Sequence, residues 1–287
     1  MPELAITGKT NIVGVLGWPV EHSLSPPMHN AAYAQMGLDY AYVPFPVAPE
    51  QLERALAGLA VAGVRGLNLT IPHKRQVIEL LDEISDEARQ IEAVNTLKLE
   101  DGRLLGFNTD RYGFTEAVTE TGFSFDGCAV VMLGAGGVAC AMGFGAADAG
   151  ASSLTILNRT VEKARDLAGR IAVYFPDLAL SVHGPDAPQA RQAVTEADIV
   201  LNATSIGMRA GDDAPVPVDW LAPRTYVYDT VYNRPTRLLA AARERGCRAL
   251  DGATMLVHQG AKAIEIWTGT RPDTQVMLDV LRQHLRP

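Results

Sequence analysis

CAVVMLGAGGVACAMGFGAADAGASSLTILNRT, Cys128 to Thr160, reads as a strand, a glycine-rich turn, a helix and a second strand. The run Ala129 to Leu133 is short, apolar and valine-rich, which fits a strand buried on both faces. Gly134, Ala135, Gly136, Gly137 and Val138 follow it directly. Small side chains there let backbone approach a pyrophosphate, and the unpaired N–H groups of the next helix's first turn face the negative charge. The helix Val138 to about Ala149 is rich in Ala and Gly, which permits close packing on a sheet, and Gly150 ends it. Strand, turn, helix and the second strand Leu154 to Leu157 together supply the context that a dinucleotide-binding motif requires.

The end of that second strand selects the dinucleotide. An acidic residue there accepts hydrogen bonds from a ribose 2′-OH, whereas a 2′-phosphate needs cations. Here stand Asn158, Arg159 and Thr160, with Lys163 one turn on. Arg159 offers a planar fork of donors suited to phosphate, so NADP is the expected cofactor.

The chain has 287 residues, 47% hydrophobic and 20% charged, which fits two ordinary globular domains. No run approaches the length of a membrane span, and MPELAITGKT lacks the apolar core of a signal peptide. A soluble, cytoplasmic protein is expected. Cys128, Cys140 and Cys247 have no metal-ligand spacing and read as buried thiols in a reducing compartment, with no metal site. A formal charge of −8 argues against nucleic acid and leaves cations to be concentrated locally at any anion site.

Upstream, Asn11 to Leu16 reads as a strand, followed by a turn crowded with hydroxyls and a helix ending near Gly37. Ser25, ahead of Pro26 and Pro27, is the expected N-cap, which leaves Ser23 and His22 without a structural reason. Strands at Tyr40 to Pro46 and Gly66 to Leu69 and helices at Pro49 to Ala62 and after Thr70 give a βαβ rhythm. A helix near Asp86 to Ile91 and two strands around the turn Asp101-Gly102 follow, the last reading as a hairpin. The helix opening at Thr109 leads into the cofactor half, where the alternation resumes through the strand Arg248 to Leu250. Two C-terminal helices, Ala253 to Thr268 and Asp273 to Leu285, have no strand to follow and are expected to return to the first domain.

The expected fold is therefore α/β with two domains. Residues 1–108 plus 253–287 form a substrate domain on a mostly parallel sheet, and 109–252 form a Rossmann-like NADP-binding domain. Ligands in such sheets collect beyond the carboxyl ends of strands, where Thr70, Lys74, Asn95, Asn108 and Asp110 fall. Lys74 beside a helix N-terminus and near an aspartate reads equally as a surface salt bridge or as a proton-transfer pair.

These residues carry a family resemblance. GWPVEHSLSPPMHN (17–30), NLTIPHK (68–74), AVNT (93–96) and FNTD (107–110) in the first half resemble shikimate dehydrogenases. So do GAGGVA (134–139), NRT (158–160), NATSIGM (202–208), YDTVYNRPT (228–236) and DGATMLVHQGA (251–261), in the family's order. The resemblance implies reversible reduction of 3-dehydroshikimate to shikimate with NADPH, in aromatic amino acid biosynthesis. It implies that Lys74 and Asp110 are the catalytic pair, that Ser23, Ser25 and Tyr232, with Asn68 beside them, meet the substrate carboxylate, and that Thr70, Asn95 and Gln259 meet the ring hydroxyls. Gly134 to Val138 take the pyrophosphate turn and Asn158, Arg159, Thr160 and Lys163 the 2′-phosphate clamp, while Thr204, Thr230, Gly252 and Met255 lie near the nicotinamide. Met255 reads equally as helix core, and Asp86 as a solvated helix face. The helix carrying Met255 and Gln259 is expected to close the cleft.

Three positions depart from the family: Arg111 where Gly is usual, and Cys140 and Lys163 where Arg is frequent. An NAD-dependent quinate/shikimate dehydrogenase is the runner-up, disfavoured by the missing acid at Asn158. A non-catalytic sensor of shikimate-like ligands or NADP is the reading from another class, disfavoured by the intact Lys74/Asp110 pair. A small-molecule substrate is the expected partner, with a homodimer left open.

Overall fold

The computed structural model describes residues 6–285, and among them twelve strands form two sheets. The chain divides into two compact units, 1–113 with 257–287, and 114–256. The divisions fall inside the helices α5 (Asp110–Thr119) and α10 (Ala253–Thr268).

In the first unit the strands are β1 (Asn11–Gly17), β2 (Tyr40–Pro46), β3 (Gly66–Leu69), β4 (Glu83–Ile84), β5 (Thr96–Glu100) and β6 (Arg103–Phe107). Their order is β2-β1-β3-β5-β6-β4. β1 pairs in parallel with β2 and β3, β4 pairs in parallel with β6, and β5 alone runs against its neighbours. The sheet is thus mostly parallel. The β5–β6 hairpin turns at Asp101 (φ 50) and Gly102 (φ 75), the paired positive φ values that a tight hairpin twist requires. The βαβ rhythm expected after β3 is reduced. The helix there is one turn, α3 (His73–Gln76), continued by a 3-10 turn (Val77–Leu80), before the two-residue edge strand β4.

Helix α1 (Ser25–Met36) packs against the C-terminal helix α11 (Thr274–Leu285). Trp267 of α10 lies over β3, where a Cβ on Gly66 would meet the indole at 2.2 Å, and its Nε1 donates to Leu97 O at 2.8 Å. α11 and the part of α10 from Val257 onward thus belong to the first unit.

The second unit contains β7 (Ala129–Leu133), β8 (Ser153–Leu157), β9 (Ala179–His183), β10 (Ile199–Asn202), β11 (Tyr226–Asp229) and β12 (Arg248–Asp251). Every pairing is parallel and the order is β12-β11-β10-β7-β8-β9. This is the doubly wound order 6-5-4-1-2-3, whose direction reverses between β7 and β10 and opens a crevice beyond their carboxyl ends. Helices α6 (Gly137–Asp148), α7 (Val161–Tyr174), α8 (Pro188–Glu196) and α9 (Arg237–Glu244) connect the strands. α6 is buried from Ala139 to Ala147, as its small residues allow, and a Cβ on Gly143 would come within 2.9 Å of Ile171.

Two readings need correction. Ser25 is the first residue of α1, not its cap. The cap is Leu24, without a side-chain bond, and Ser23 Oγ instead accepts from Ser25 N at 3.3 Å. Pro26 and Pro27 have no N–H to offer a cap, which removes the reason for one. Cys128 is half-buried rather than buried, because it lies before the first residue of β7, outside the strand, while Cys140 and Cys247 are buried and all three are free thiols. Among the described residues no helix is long and apolar enough to cross a membrane, and no acidic, His or Cys cluster is arranged to hold a metal.

His29 ties α1 to the sheet. It is fully buried, its Nδ1 donates to Ser25 O at 2.8 Å, and its ring stacks on Tyr42 at 4.0 Å. Burial lowers its pKa from 6.5 to about 4. A depressed histidine pKa means that the unfolded chain binds the proton first, so the contribution to stability is complete above pH 6.5 and is lost as pH falls toward 4. The loss is on the order of 3 kcal/mol. Thermal unfolding of wild type and His29→Gln from pH 7 to 4.5 checks this. The wild-type Tm should fall more steeply with acid, and identical slopes would contradict it.

Candidate active site

In the first unit, α3 is held by backbone bonds and by the His73 side chain. His73 N donates to Thr70 O at 3.0 Å, His73 Nε2 to Val47 O at 2.8 Å, and Val94 N to Lys74 O at 2.8 Å. Lys74 Nζ then lies 2.5 Å from Asp110 Oδ2, with side chains 26% and 10% exposed. Asp110 opens α5, and its backbone N donates to Asn108 Oδ1 at 3.0 Å, while Asn108 Nδ2 donates to Ala93 O at 2.9 Å.

Asn95 joins these parts. Its Nδ2 donates to Asp110 Oδ1 at 2.8 Å, to Thr109 Oγ1 at 3.0 Å and to Gln259 Oε1 at 3.4 Å, while its Oδ1 accepts from Thr109 N at 2.8 Å. Thr96 Oγ1 donates to Asn95 Oδ1 at 3.1 Å and accepts from Asn68 Nδ2 at 3.0 Å. Tyr42 Oη donates to Asn68 Oδ1 at 2.8 Å. Burial pushes the Tyr42 phenol far up, opposed by a hydrogen bond with Ser25, so it stays a neutral donor. One buried polar network therefore runs from Ser25 to Lys74.

Thr70 sits against β1, where a Cβ on Gly17 would come within 2.3 Å of its methyl group. Arg111 Nη1 donates to Gln90 Oε1 at 3.1 Å, which gives that departure a partner on helix α4 (Asp86–Ile91). Asp86, the first residue of α4, is exposed.

In the second unit, Gly134 has φ +108, and a Cβ there would lie 3.0 Å from Ala203 O, so the chain turns at the sheet's reversal point only without a side chain. Gly136 and Gly137 differ. A Cβ on either meets nothing within 4 Å, and α6, capped by Gly136, has no acidic residue in its first turn. Gly136 borders a cavity of about 520 Å³. Ala135, Gly136, Asn158, Arg159, Thr160, Lys163 and Thr204 line it, as do Asp186, Ser205, Ile206 and Val216, which the sequence reading did not single out. Asp186 had a legible signal, since it follows β9, the strand beside β8 in the doubly wound order.

Asn158 Nδ2 donates to Thr160 O at 2.7 Å and shapes the turn, leaving Arg159 and Lys163 exposed and without an ion pair among the described residues. Thr230 and Gly252 touch, because a Cβ on Gly252 would fall 2.2 Å from Thr230 O. Met255 is buried near the start of α10, and burial raises the Tyr232 phenol. Gly134, Gly137, Val138, Thr230, Gly252 and Met255 are not among the cavity's lining residues.

The family pattern extends over the chain. Residues 15–97 match the shikimate dehydrogenase substrate binding domain, 116–208 the shikimate/quinate 5-dehydrogenase family and 252–282 the shikimate 5′-dehydrogenase C-terminal domain. A shikimate dehydrogenase (NADP(+)) of Moorella thermoacetica is 46% identical, the match covering 98% of this chain and 95% of that protein. The chain belongs to the shikimate dehydrogenase family. Among solved structures, a shikimate dehydrogenase in complex with NADP+ superposes with a TM-score of 0.92 at 39% identity, covering 99% of this chain and 98% of the other. The Thermus thermophilus shikimate 5-dehydrogenase in complex with NADP(H) and shikimate gives 0.86 at 36% identity, covering 96% and 99%.

The two kinds of glycine in the turn make a stability test. Gly134→Ala should cost roughly 1–3 kcal/mol, from strained φ and the close carbonyl. Gly136→Ala, with φ −89 and open space, should stay within about 0.5 kcal/mol of wild type. Denaturant unfolding measures both, and equal losses would contradict the distinction.

Proposed function

We propose that this chain is an NADP-dependent shikimate dehydrogenase that reversibly reduces 3-dehydroshikimate to shikimate. The observation that carries the reading is the 2.5 Å contact between Lys74 and Asp110, held in place by Asn95. The residues present fit the cofactor. Open backbone at Gly136 and Gly137 leaves room for a pyrophosphate, and Arg159 and Lys163 bring two cations to the same cavity for a 2′-phosphate. Asn158 and Thr160 complete that clamp, and Thr204, Thr230, Gly252 and Met255 serve the nicotinamide side.

When bound, NADPH supplies the hydride to the carbonyl carbon, and NADP+ accepts it in reverse. The oxygen that gains negative charge takes a proton from Lys74 Nζ, and in the reverse direction Lys74 receives the proton of the hydroxyl. Asp110 keeps the ammonium on the reacting oxygen, and Asn95 keeps Asp110 there. Ser23 and Ser25 offer neutral hydroxyls to the carboxylate, and Tyr232, whose phenol burial keeps protonated, is a donor of the same kind. Thr70, Asn95 and Gln259 read the ring hydroxyls, so an analogue lacking one leaves a buried polar group unpaired. We assign the enzyme to the cytoplasm, where free thiols persist.

The test is a matrix of shikimate and quinate against NADP+ and NAD+, read as nicotinamide reduction. Shikimate with NADP+ should be preferred. Lys74→Ala should lower kcat by about 100- to 10,000-fold, the usual span for a lost general acid–base group. Arg159→Ala should raise KM for NADP+ about tenfold and leave NAD+ nearly unchanged, in keeping with one lost charge-assisted contact. Preferred oxidation of quinate with NAD+ would overturn the specificity, and ligand binding without turnover would overturn the enzyme assignment.

A further inference from the structure

The second unit holds a buried carboxylate that the reaction does not use. Asp229 ends β11, directly opposite Asn202 at the end of β10, and both are 0% exposed. Among the described residues Asp229 has no cation paired with it. It is satisfied by hydrogen bonds alone: Asn202 Nδ2 at 2.8 Å and Val231 N at 3.1 Å on Oδ1, and Thr236 Oγ1 at 2.7 Å on Oδ2. Burial pushes this carboxyl up, the hydrogen bonds oppose the shift, and Asp251 adds to it. A buried acid without a counter-ion is expensive, and an apolar residue would fill the space at less cost.

Its use lies in polarity. The two ends of an asparagine amide are nearly alike in shape, and the partner decides which faces it. Asp229 Oδ1 is an acceptor, already taking the Val231 N–H, so Asn202 must present Nδ2 to it, and that Nδ2 also reaches Ile206 O at 3.2 Å. Asn202 Oδ1 is thereby turned to Thr204, accepting from its N at 3.0 Å and its Oγ1 at 2.7 Å. Thr204 Oγ1 in turn accepts from Ile206 N at 3.1 Å. The bonds from Ile206 N through Thr204 Oγ1 and the Asn202 amide run in one direction and end on Asp229. A reversed amide would set Nδ2 against Thr204 N–H, two donors with no acceptor between them.

The turn so fixed is a wall of the dinucleotide cavity, which Thr204, Ser205 and Ile206 line. On its other side Asp229 holds Thr236, which caps α9 by accepting from Leu239 N at 3.2 Å. A Cβ on Gly207 would come within 2.9 Å of Thr236 Cγ2, so the two loops are packed as well as bonded.

We propose that Asp229 is a positioning residue for the cofactor, acting through the Asn202 amide to hold the Thr204–Ile206 wall in its binding shape. This deepens the proposed function and rests on it.

Calorimetric titration with two probes tests the proposal: NADP+, the whole dinucleotide, and 2′,5′-ADP, the fragment that carries the 2′-phosphate for Arg159. Asp229→Ala and Thr204→Val should each weaken NADP+ about tenfold, the equivalent of one or two hydrogen bonds, and change 2′,5′-ADP less than about twofold. Asp229→Asn, which keeps an acceptor oxygen toward Asn202 and Val231, should recover NADP+ binding to within about threefold of wild type. Equal weakening of both probes would mean a merely structural role and overturn the proposal. Unchanged NADP+ affinity in Thr204→Val would overturn it too, and that variant decides the matter alone if Asp229→Ala does not fold. Shikimate oxidation by wild type, run alongside, separates the two readings. Wild type that binds NADP+ without oxidising shikimate counts against the catalytic assignment and not against the wall.

Discussion

The contact between Lys74 and Asp110 is the constraint around which the first unit is arranged. A lysine on a one-turn helix and an aspartate at the start of another are brought together from 36 residues apart. Neither short element sets that geometry by itself. The β5–β6 hairpin does so, because Asn95 N donates to Phe107 O and thereby sets Ala93–Asn95 beside Asn108–Asp110. The Asn95 side chain then closes the junction with bonds to Thr109 and Asp110. Inside a buried network each bond is stronger than in water, and each unmade bond costs more. The network's completeness is therefore part of what holds the pair in register.

The second unit solves a different problem, how to present backbone to an anion without exposing a sheet edge to it. A parallel sheet whose winding reverses at β7 and β10 leaves a crevice where no crossover helix lies. Gly134 makes the turn into α6 at the one place where a side chain would strike Ala203 O, and Gly136 and Gly137 leave the helix start bare. Cations then come from the end of β8, and the far wall from the turn after β10. Asn202 and Asp229 show how polarity, rather than packing alone, gives such a wall its shape.

What was legible in the sequence follows from the range of the forces involved. The glycine turn, the cations after β8, the hairpin at Asp101-Gly102 and the amphipathic helices are local, and each could be read in a short window. Lys74 and Asp110 were legible as a candidate pair only by their place after strands, and spacing alone left a surface salt bridge equally open. The strand β4 and the bare cap of α1 were not legible, since a two-residue strand depends on partners distant in the chain. Nor were the bonds of Tyr42, Thr96 and Thr109, because a buried hydroxyl in a strand looks like any other until its partner is in place. Ser25 was misread for a physical reason: the helix begins one residue earlier, so that the two positions a cap would bond are Pro26 and Pro27, which have no N–H.

The central claim is that Asp110 holds Lys74 where the reacting oxygen exchanges its proton. Single-turnover formation of NADPH from shikimate by Asp110→Asn tests it most directly, with shikimate affinity measured on the same protein. The account predicts that the rate of the chemical step falls by at least about 100-fold while shikimate affinity changes less than about threefold, as for an interaction made chiefly in the transition state. A near-native single-turnover rate, or a loss confined to shikimate affinity, would contradict it.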